Sequence, residues 1–432
     1  MPPRERLLTR SFDLPDSHRL ETSRRSGGYE ALRKALGMAP AAITEEVRRA
    51  NLRGLGGAGF GTGMKWGFVP KETGGKPVYL VVNADEGEPG TFKDRYLLER
   101  DPHLVLEGMA ITGFAVGARR AFVYIRGEYV RPYRILAGAI EEAARANLLG
   151  PNILGSGFDF EITLHRGAGA YICGEETGLL ESLEGKKGWP RLKPPFPAVV
   201  GAFGCPTVIN NVETLALVPR IIERGAEWFA GLGTGTQGGT RIYSVSGHVR
   251  RPGPYELPVS ATLRELIEEA GGVRDGHRLK AVVPGGSSAA ILTAEEIDCT
   301  LDVDGLKAAG SMAGSAGVVV MDETTCIVEA LYVVARFYAH ESCGQCTPCR
   351  ESTGWIYRVV GRILQGKGRP EDPDQILDIA RKGVGTTICA FYDGAVGPYL
   401  SYIEKFRPEF DHHIRTGGCD VQPGRVPVLT TH

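Results

Sequence analysis

The sequence contains no run of about 20 apolar residues, the length a membrane-spanning helix needs. Its most apolar stretch, residues 103–120, is interrupted by Glu107 and closes on Arg119 and Arg120, so it predicts a core helix. An apolar segment of the secretory kind is missing near the N-terminus. Arg4, Arg6, Arg10 and Arg19 give the start of the chain a transit-peptide look, but Glu5, Asp13, Asp16 and Glu21 break the acid-poor pattern. The chain is expected to be cytoplasmic and unprocessed, touching a membrane only through a partner. A basic excess is also lacking: 50 Lys+Arg face 51 Asp+Glu, which argues against a general nucleic-acid binder. Cysteine is sparse, nine in 432 residues, far below the density of a disulfide-stapled scaffold. Internal repeats and a G-x-y period are absent, the latter excluding collagen.

Glycine is abundant. Its 59 positions in 432 residues are about twice the average usage of ~7%, and they imply turns and close backbone approaches. The length exceeds what one core organises, so two to four domains are expected. The first 40 residues are polar with little periodicity. A helix is expected over 44–53 with Thr44 as N-cap, followed by the glycine-rich loop GLGGAGFGTG over 54–63. Residues 78–82 (VYLVV) read as a buried strand that ends in the acidic turn Asn83-Ala84-Asp85-Glu86-Gly87-Glu88. Helices over 103–117 and 131–147 then alternate with strands over 121–125 and 158–164, the rhythm of a parallel sheet covered by helices. The glycine-rich stretch 231–239 is the first expected boundary. Beyond it, strands over 241–249, 279–283 and 318–320 with a helix over 262–270 suggest a small mixed β-grasp unit. From Cys326 the pattern turns helical, over 326–340, 350–365, 373–383 and 399–406.

The most specific chemical signal is Cys343-Gly344-Gln345-Cys346-Thr347-Pro348-Cys349. Three thiolates at this spacing converge on one small volume and suit three corners of an iron–sulfur cube, with Cys389 the natural fourth. Zinc is the rival, although its Cys₄ sites usually join two C-x₂₋₄-C pairs and the second pair is missing here. A disulfide or an inert group of thiols is the remaining alternative.

Gly54, Gly56 and Gly59 spell G-x-G-x-x-G, but a dinucleotide fingerprint follows a strand, and this one follows a helix. The loop still offers backbone to a flat or phosphorylated ligand, with Phe60, Trp66 and Phe68 as stacking surfaces and Lys65 as a phosphate contact. Otherwise it is a tight connection. Asp85, Glu86 and Glu88 follow a strand, where ligands bind in open α/β sheets. They suit hydroxyl and amide donors better than phosphate, or else form a solvated loop. Glu175 and Glu176 follow the third strand in the same way. The loop carrying Lys186, Lys187, Arg191, Lys193 and Phe196 suits a pyrophosphate or a ring. Alternatively it is a solvated face. Asn210, Asn211 and Thr214 cap a helix or touch a ligand. Cys205, Cys299, Cys326 and Cys419 stand singly and read as small buried hydrophobes, the role of Cys173 is open, and His412 and His413 read as surface.

Six motifs stand in order: GGAGF-x-TG-x-KW, NADEGEPG, YICGEET-x-LLESLEG, KPPFPA, INNVET and ESCGQCTPCR. With them the chain, from about residue 8 to 406, resembles the NADH-binding flavoprotein (51-kDa-type) subunits of respiratory complex I, NADH:quinone oxidoreductase. The resemblance implies an NADH dehydrogenase carrying FMN and one [4Fe–4S] cluster, which takes hydride from NADH and sends electrons singly towards quinone. FMN is then expected on Gly54, Gly56, Gly57, Lys65, Asn83, Asp85, Glu86, Tyr171, Gly174, Glu175, Asn210, Asn211 and Thr214. NADH is expected beside Glu88 and Glu176, with its adenine end among Phe60, Phe68, Lys193 and Phe196. Cys343, Cys346, Cys349 and Cys389 would hold the cluster. No side chain is expected to be catalytic, since the cofactors carry the chemistry.

The implied organisation is an N-terminal segment over 1–72, a Rossmann-like FMN- and NADH-binding domain over 73–238, a ubiquitin-like β-grasp domain over 239–325 and a helical [4Fe–4S] domain over 326–432. The implied partners are a [2Fe–2S] thioredoxin-like subunit and a larger Fe–S subunit, without nucleic acid. The implied place is the cytoplasmic face of the inner (plasma) membrane, reached through the complex. Gly61 stands where the family usually has proline and Gly178 where it usually has alanine, the latter a sterically mild change. Competing readings are the diaphorase subunit of an NAD-linked hydrogenase or formate dehydrogenase, and a non-catalytic Fe–S or zinc scaffold.

Overall fold

In this computed structural model, residues 5–423 are described; Arg4 and the expected outer domain ends at 1 and 432 lie outside them. Strands β1 (Val78–Ala84), β2 (Ala118–Ile125), β3 (Glu161–Arg166) and β4 (Thr207–Asn211) form one sheet in the order β3-β2-β1-β4, all parallel. β1 is central because it is apolar on both faces. Leu80, Val82 and Ala84 enter a core with the N-terminal helices, while Val81 points to the opposite side and joins Ile209 and the C-terminal helices. This is the Rossmann-like arrangement that the strand–helix rhythm predicts. The helices Pro102–Val116 and Val212–Arg224 pack so closely that a Cβ on Gly108 would lie 2.0 Å from the Leu215 carbonyl oxygen. Only glycine fits there.

A second sheet contains β5 (Thr240–Gly247), β6 (Gly253–Pro258), β7 (Leu279–Val283), β8 (Leu292–Thr293) and β9 (Gly317–Asp322). Its order is β6-β5-β9-β7-β8, with β5 and β9 parallel at the centre and antiparallel neighbours outside. That is the β-grasp order. Its helix Leu263–Glu269 starts on a capping box made by Thr262 and Glu265, as Thr-x-x-Glu patterns do. The helices Ile327–Glu341, Thr347–Leu364, Asp372–Lys382 and Phe391–Thr416 form the C-terminal bundle. Among the described residues no helix is long and apolar enough to cross a membrane.

Several boundaries differ from expectation for identifiable reasons. The helix expected at Thr44 begins at Pro40 with Ala39 as N-cap, because proline at the first helical position is already set for the turn. The N-terminal 40 residues hold two short helices, Leu20–Arg25 and Glu30–Leu36, the second anchored by Leu32 and Ala35. β3 starts at Glu161, since Phe158 and Phe160 turn into the core before it. The helix Lys93–Arg100 and the edge strand β6, which carries Pro254 and Pro258, gave no clear pattern. The last helix runs from Phe391 to Thr416 through Pro398 and Pro408, breaking helical geometry at Phe406.

Candidate functional site

The carboxyl ends of β1 and β4 open onto a cavity of about 760 Å³, in the range of ligand pockets. Its floor is the glycine loop. The Gly54 N–H donates to the Phe60 carbonyl at 2.8 Å, and the Leu55 N–H donates to Thr214 Oγ1 at 2.9 Å. Gly56 lies so near Asn211 that a Cβ would come within 3.0 Å of it, and Gly57 has φ 129° with open space where a Cβ would stand. The loop thus presents bare backbone to the cavity. From β1, Asn83 Nδ2 donates to the Gly174 carbonyl at 2.7 Å and its Oδ1 accepts from the Asp85 N–H at 3.1 Å, tying two walls together.

Asp85 lines the cavity, and its buried Oδ2 has no hydrogen-bond partner. Burial pushes its carboxyl up to about 7. Such an orphan acceptor calls for a ligand donor. Glu86, expected to touch a ligand, also lines the cavity, but its carboxylate is engaged by the N–H groups of Asp94 (2.9 Å) and Arg95 (3.1 Å) and by the Tyr129 hydroxyl (2.8 Å). It caps the helix Lys93–Arg100. Burial, then the nearby Asp94, push it up to about 7.

Glu88 accepts from the Tyr171 hydroxyl at 2.5 Å, from Ser287 Oγ at 2.9 Å and from the Ser288 N–H at 2.7 Å. It therefore joins the parallel-sheet unit to the loop after β7. Glu175 caps the helix Glu176–Leu183 through the N–H groups of Thr177 and Gly178. Glu176 lies between Lys65 Nζ at 3.0 Å and Lys193 Nζ at 2.7 Å. Burial raises its carboxyl, but the two lysines outweigh it and hold the group below the usual carboxylate range.

The cavity wall includes Gly54, Gly56, Gly57, Asn83, Asp85, Glu86, Glu88, Tyr171, Gly174, Glu175 and Asn211. Asn210 and Thr214 act from behind it. Asn210 Oδ1 accepts from Trp66 Nε1 at 2.9 Å, and Thr214 holds the glycine loop. Phe60 and Phe68 form an exposed pair with ring centroids 6.0 Å apart, and Phe196 is exposed beyond Lys193. Gly61 has φ −60°, a value proline shares. Gly178 is tighter than expected: an alanine Cβ would stand 2.8 Å from the Ile172 carbonyl oxygen.

Sequence reasoning missed a buried charge network on the cavity's inner side. Lys93 Nζ lies 2.7 Å from Asp94 Oδ1 and 2.8 Å from Glu213 Oε2, while Asn211 Nδ2 donates to Asp94 Oδ2 at 2.6 Å. Burial alone would lower the Lys93 amine, but Asp94 and Glu213 hold it above its ordinary value. Arg241 at the start of β5 is buried and donates to the carbonyls of Leu55 (3.0 Å) and Gly314 (2.6 Å). The only signal in the sequence was the Lys93-Asp94 pair following the acidic turn.

The thiols assemble beside the same cavity. Cys346 is the N-cap of the helix Thr347–Leu364, Cys349 lies in its first turn, and Gly344 makes the turn with φ 77°. The Ile388 N–H donates to Cys346 Sγ at 3.4 Å, and Ser342 Oγ lies 3.2 Å from Cys349 Sγ. Burial and then neighbouring sulfurs push Cys349 up to about 11; burial, Glu175 and neighbouring sulfurs push Cys389 up to about 12. The four sulfurs do not all lie within 4.8 Å of one another. Three thiols on one turn and a fourth on a separate segment suit the four corners of a cube. Cys389 is followed directly by Ala390 and Phe391, which line the cavity. The residues present fit both FMN and a [4Fe–4S] cluster.

Fold and site define a flavin- and iron–sulfur-binding electron carrier. Residues 47–220 match the model of the Nuo51 FMN-binding domain, residues 242–291 the SLBB domain, and residues 329–413 the NADH-ubiquinone oxidoreductase-F iron-sulfur binding region. The chain belongs to the NADH-quinone oxidoreductase-F family. It is 55% identical over 418 residues to an NADH-quinone oxidoreductase-F protein of Rhizobium meliloti (strain 1021), covering 96% of this chain and 99% of that protein. It is 53% identical to the corresponding protein of Mycobacterium tuberculosis (strain ATCC 25618 / H37Rv), covering 96% of this chain and 95% of the relative. Among solved structures, an NAD+-reducing [NiFe]-hydrogenase in the H2-reduced state matches with TM-score 0.84 and 35% identity, covering 95% of this chain and 67% of that one.

Proposed function

We propose that the cavity binds FMN and NADH together and hands electrons to a cluster held by Cys343, Cys346, Cys349 and Cys389. The chain is an oxidoreductase flavoprotein subunit, the NADH dehydrogenase module of an NADH:quinone oxidoreductase, with FMN and [4Fe–4S] as its cofactors. The observation that carries the site reading is the unpartnered Asp85 Oδ2 in a cavity whose wall continues directly into Cys389. When bound, FMN accepts two electrons as hydride and releases them singly, and the cluster takes them one at a time.

The chain's own residues orient and insulate. Gly54, Gly56 and Gly57 offer backbone to a phosphate or ring, together with Lys65 and Asn211. Asp85 accepts from a flavin donor, and Asn83, Gly174 and Tyr171 shape the opposite wall. Glu86 and Glu175 hold the helix starts that frame the cleft, while Asn210 and Thr214 keep the glycine loop in place. For NADH, Glu88 and Glu176 serve hydroxyl and amide groups, and Lys193 serves the pyrophosphate. Phe60, Phe68 and Phe196 offer exposed faces to the adenine. The N–H and O–H donors at Cys346 and Cys349 tune the cluster.

The division at 1–72, 73–238, 239–325 and 326–432 is part of this proposal. So are a [2Fe–2S] thioredoxin-like partner, a larger Fe–S partner and a place on the cytoplasmic face of the membrane. The hydrogenase likeness favours a second reading, a diaphorase subunit, but a third of that hydrogenase chain has no counterpart here.

An anaerobic NADH titration of iron-replete protein, followed by visible absorbance, tests the reading. Bleaching of the flavin bands with a broad iron–sulfur decrease supports it. A reconstituted protein inert to NADH overturns it.

A further inference from the structure

A second group of metal-ligating side chains lies at the far end of the bundle. Cys326, His413 and Cys419 bring their ligand atoms within 4.8 Å of one another. Cys326 is the N-cap of the helix Ile327–Glu341, and its Sγ accepts from the Glu329 N–H at 3.4 Å, which fixes the direction of the sulfur. His413 lies in the last turn of the helix Phe391–Thr416, and Gly417 with φ 74° turns the chain so that Cys419 folds back. Cys326 Sγ and His413 Nε2 are 3.3 Å apart. His413 is only 2% exposed, and its Nδ1 is buried without a hydrogen-bond partner. His413, read from the sequence as surface, is buried; Cys326 is buried as expected, but it and Cys419, read as standing singly, meet at this histidine.

We propose that Cys326, His413 and Cys419 form a zinc site that fastens the chain beyond the last helix to the base of the bundle. Two sulfurs and one imidazole in tetrahedral reach are the donor set zinc prefers over hard cations. A pocket of about 50 Å³ lies beside these residues, so a water takes the fourth position. Binding displaces the two thiol protons to solvent, leaving two thiolates that balance the dication. The 15 residues of Ile327–Glu341 span about 22 Å at ~1.5 Å per residue, so this site is separate from the thiols at Cys343, Cys346 and Cys349.

The test uses the full chain with its flavin and iron in place. Zinc is supplied in competition with a chromophoric chelator, and zinc and iron are counted by elemental mass spectrometry. One zinc per chain beyond the iron, lost in Cys419→Ala and in His413→Gln with iron and FMN contents unchanged, supports the site. Zinc binding should also raise the thermal midpoint of the wild type but not of Cys419→Ala. Three results would overturn the proposal: no zinc uptake by the wild type, undiminished uptake by Cys419→Ala, or Cys326 and Cys419 recovered as a disulfide from anaerobically purified protein.

Discussion

The hydroxyl of Tyr171 donates to Glu88 Oε2 at 2.5 Å, so the turn after β3 is bonded to the acidic turn after β1 across the mouth of the cavity. Burial and the Glu88 carboxylate together hold the Tyr171 phenol well above its ordinary value. Both oxygens of Glu88 are therefore fixed in direction before any ligand arrives. Glu88→Gln replaces one acceptor by a donor and should raise KM for NADH about tenfold, the scale of one misdirected buried bond. FMN content, read from released flavin fluorescence, should stay at the wild-type level. An unchanged KM would remove Glu88 from the dinucleotide site.

Cys389 stands on a different segment from the other three thiols and next to the cavity wall. Cys389→Ala is expected to abolish the cluster's electron paramagnetic resonance signal while leaving FMN bound. A normal cluster signal in that variant would disprove the ligand assignment.

Lys93 is the buried cation between Asp94 and Glu213. Lys93→Met leaves both carboxylates without it and should cost about 3–5 kcal/mol of stability, the usual result of removing one partner from a buried pair. Urea unfolding measures the loss, and adding Glu213→Gln should restore part of it. A single variant as stable as wild type would show the network to be energetically idle.

Glu107 is 2% exposed inside the helix Pro102–Val116, and burial pushes its carboxyl up to about 7. Its folded value lies above the unfolded one. The associated stability is thus fully present below about pH 4.5 and is lost as pH rises through about 7, amounting to about 3 kcal/mol at most. Glu107→Gln keeps an acceptor for the Leu32 N–H, 3.0 Å away, and has no charge to bury. Unfolding free energies of the two proteins, compared from about pH 5 to pH 8, should diverge in the variant's favour as pH rises. Parallel curves would refute the burial argument.

The strand Val78–Ala84, the cysteine run and the acidic turns were legible because each is a local pattern that carries its own reason. An uninterrupted VYLVV has to be buried, and three thiols in seven residues have to meet. The network of Lys93, Asp94, Glu213 and Arg241 was not legible, because it is assembled from three distant segments whose individual patterns are unremarked helix and strand. His413 was misread for a related reason: a histidine pair near a helix end looks solvated until the turn at Gly417 brings Cys419 over it. Thr44 lost its role as N-cap to Ala39 because Pro40, four residues before Thr44, had already started the helix.

The β-grasp sheet is attached to the cleft on three sides: by Arg241 to the Leu55 carbonyl, by Ser287 and Ser288 to Glu88, and by Ser244 Oγ to the Phe92 N–H at 2.9 Å. Cutting the chain before Thr240 would strip Glu213 of its bond from the Ile242 N–H and unroof the cavity. The protein therefore resists dissection. A fragment limited to the parallel sheet is not a smaller working part but an incomplete one, and expression trials should keep the parallel sheet and the β-grasp sheet on one polypeptide.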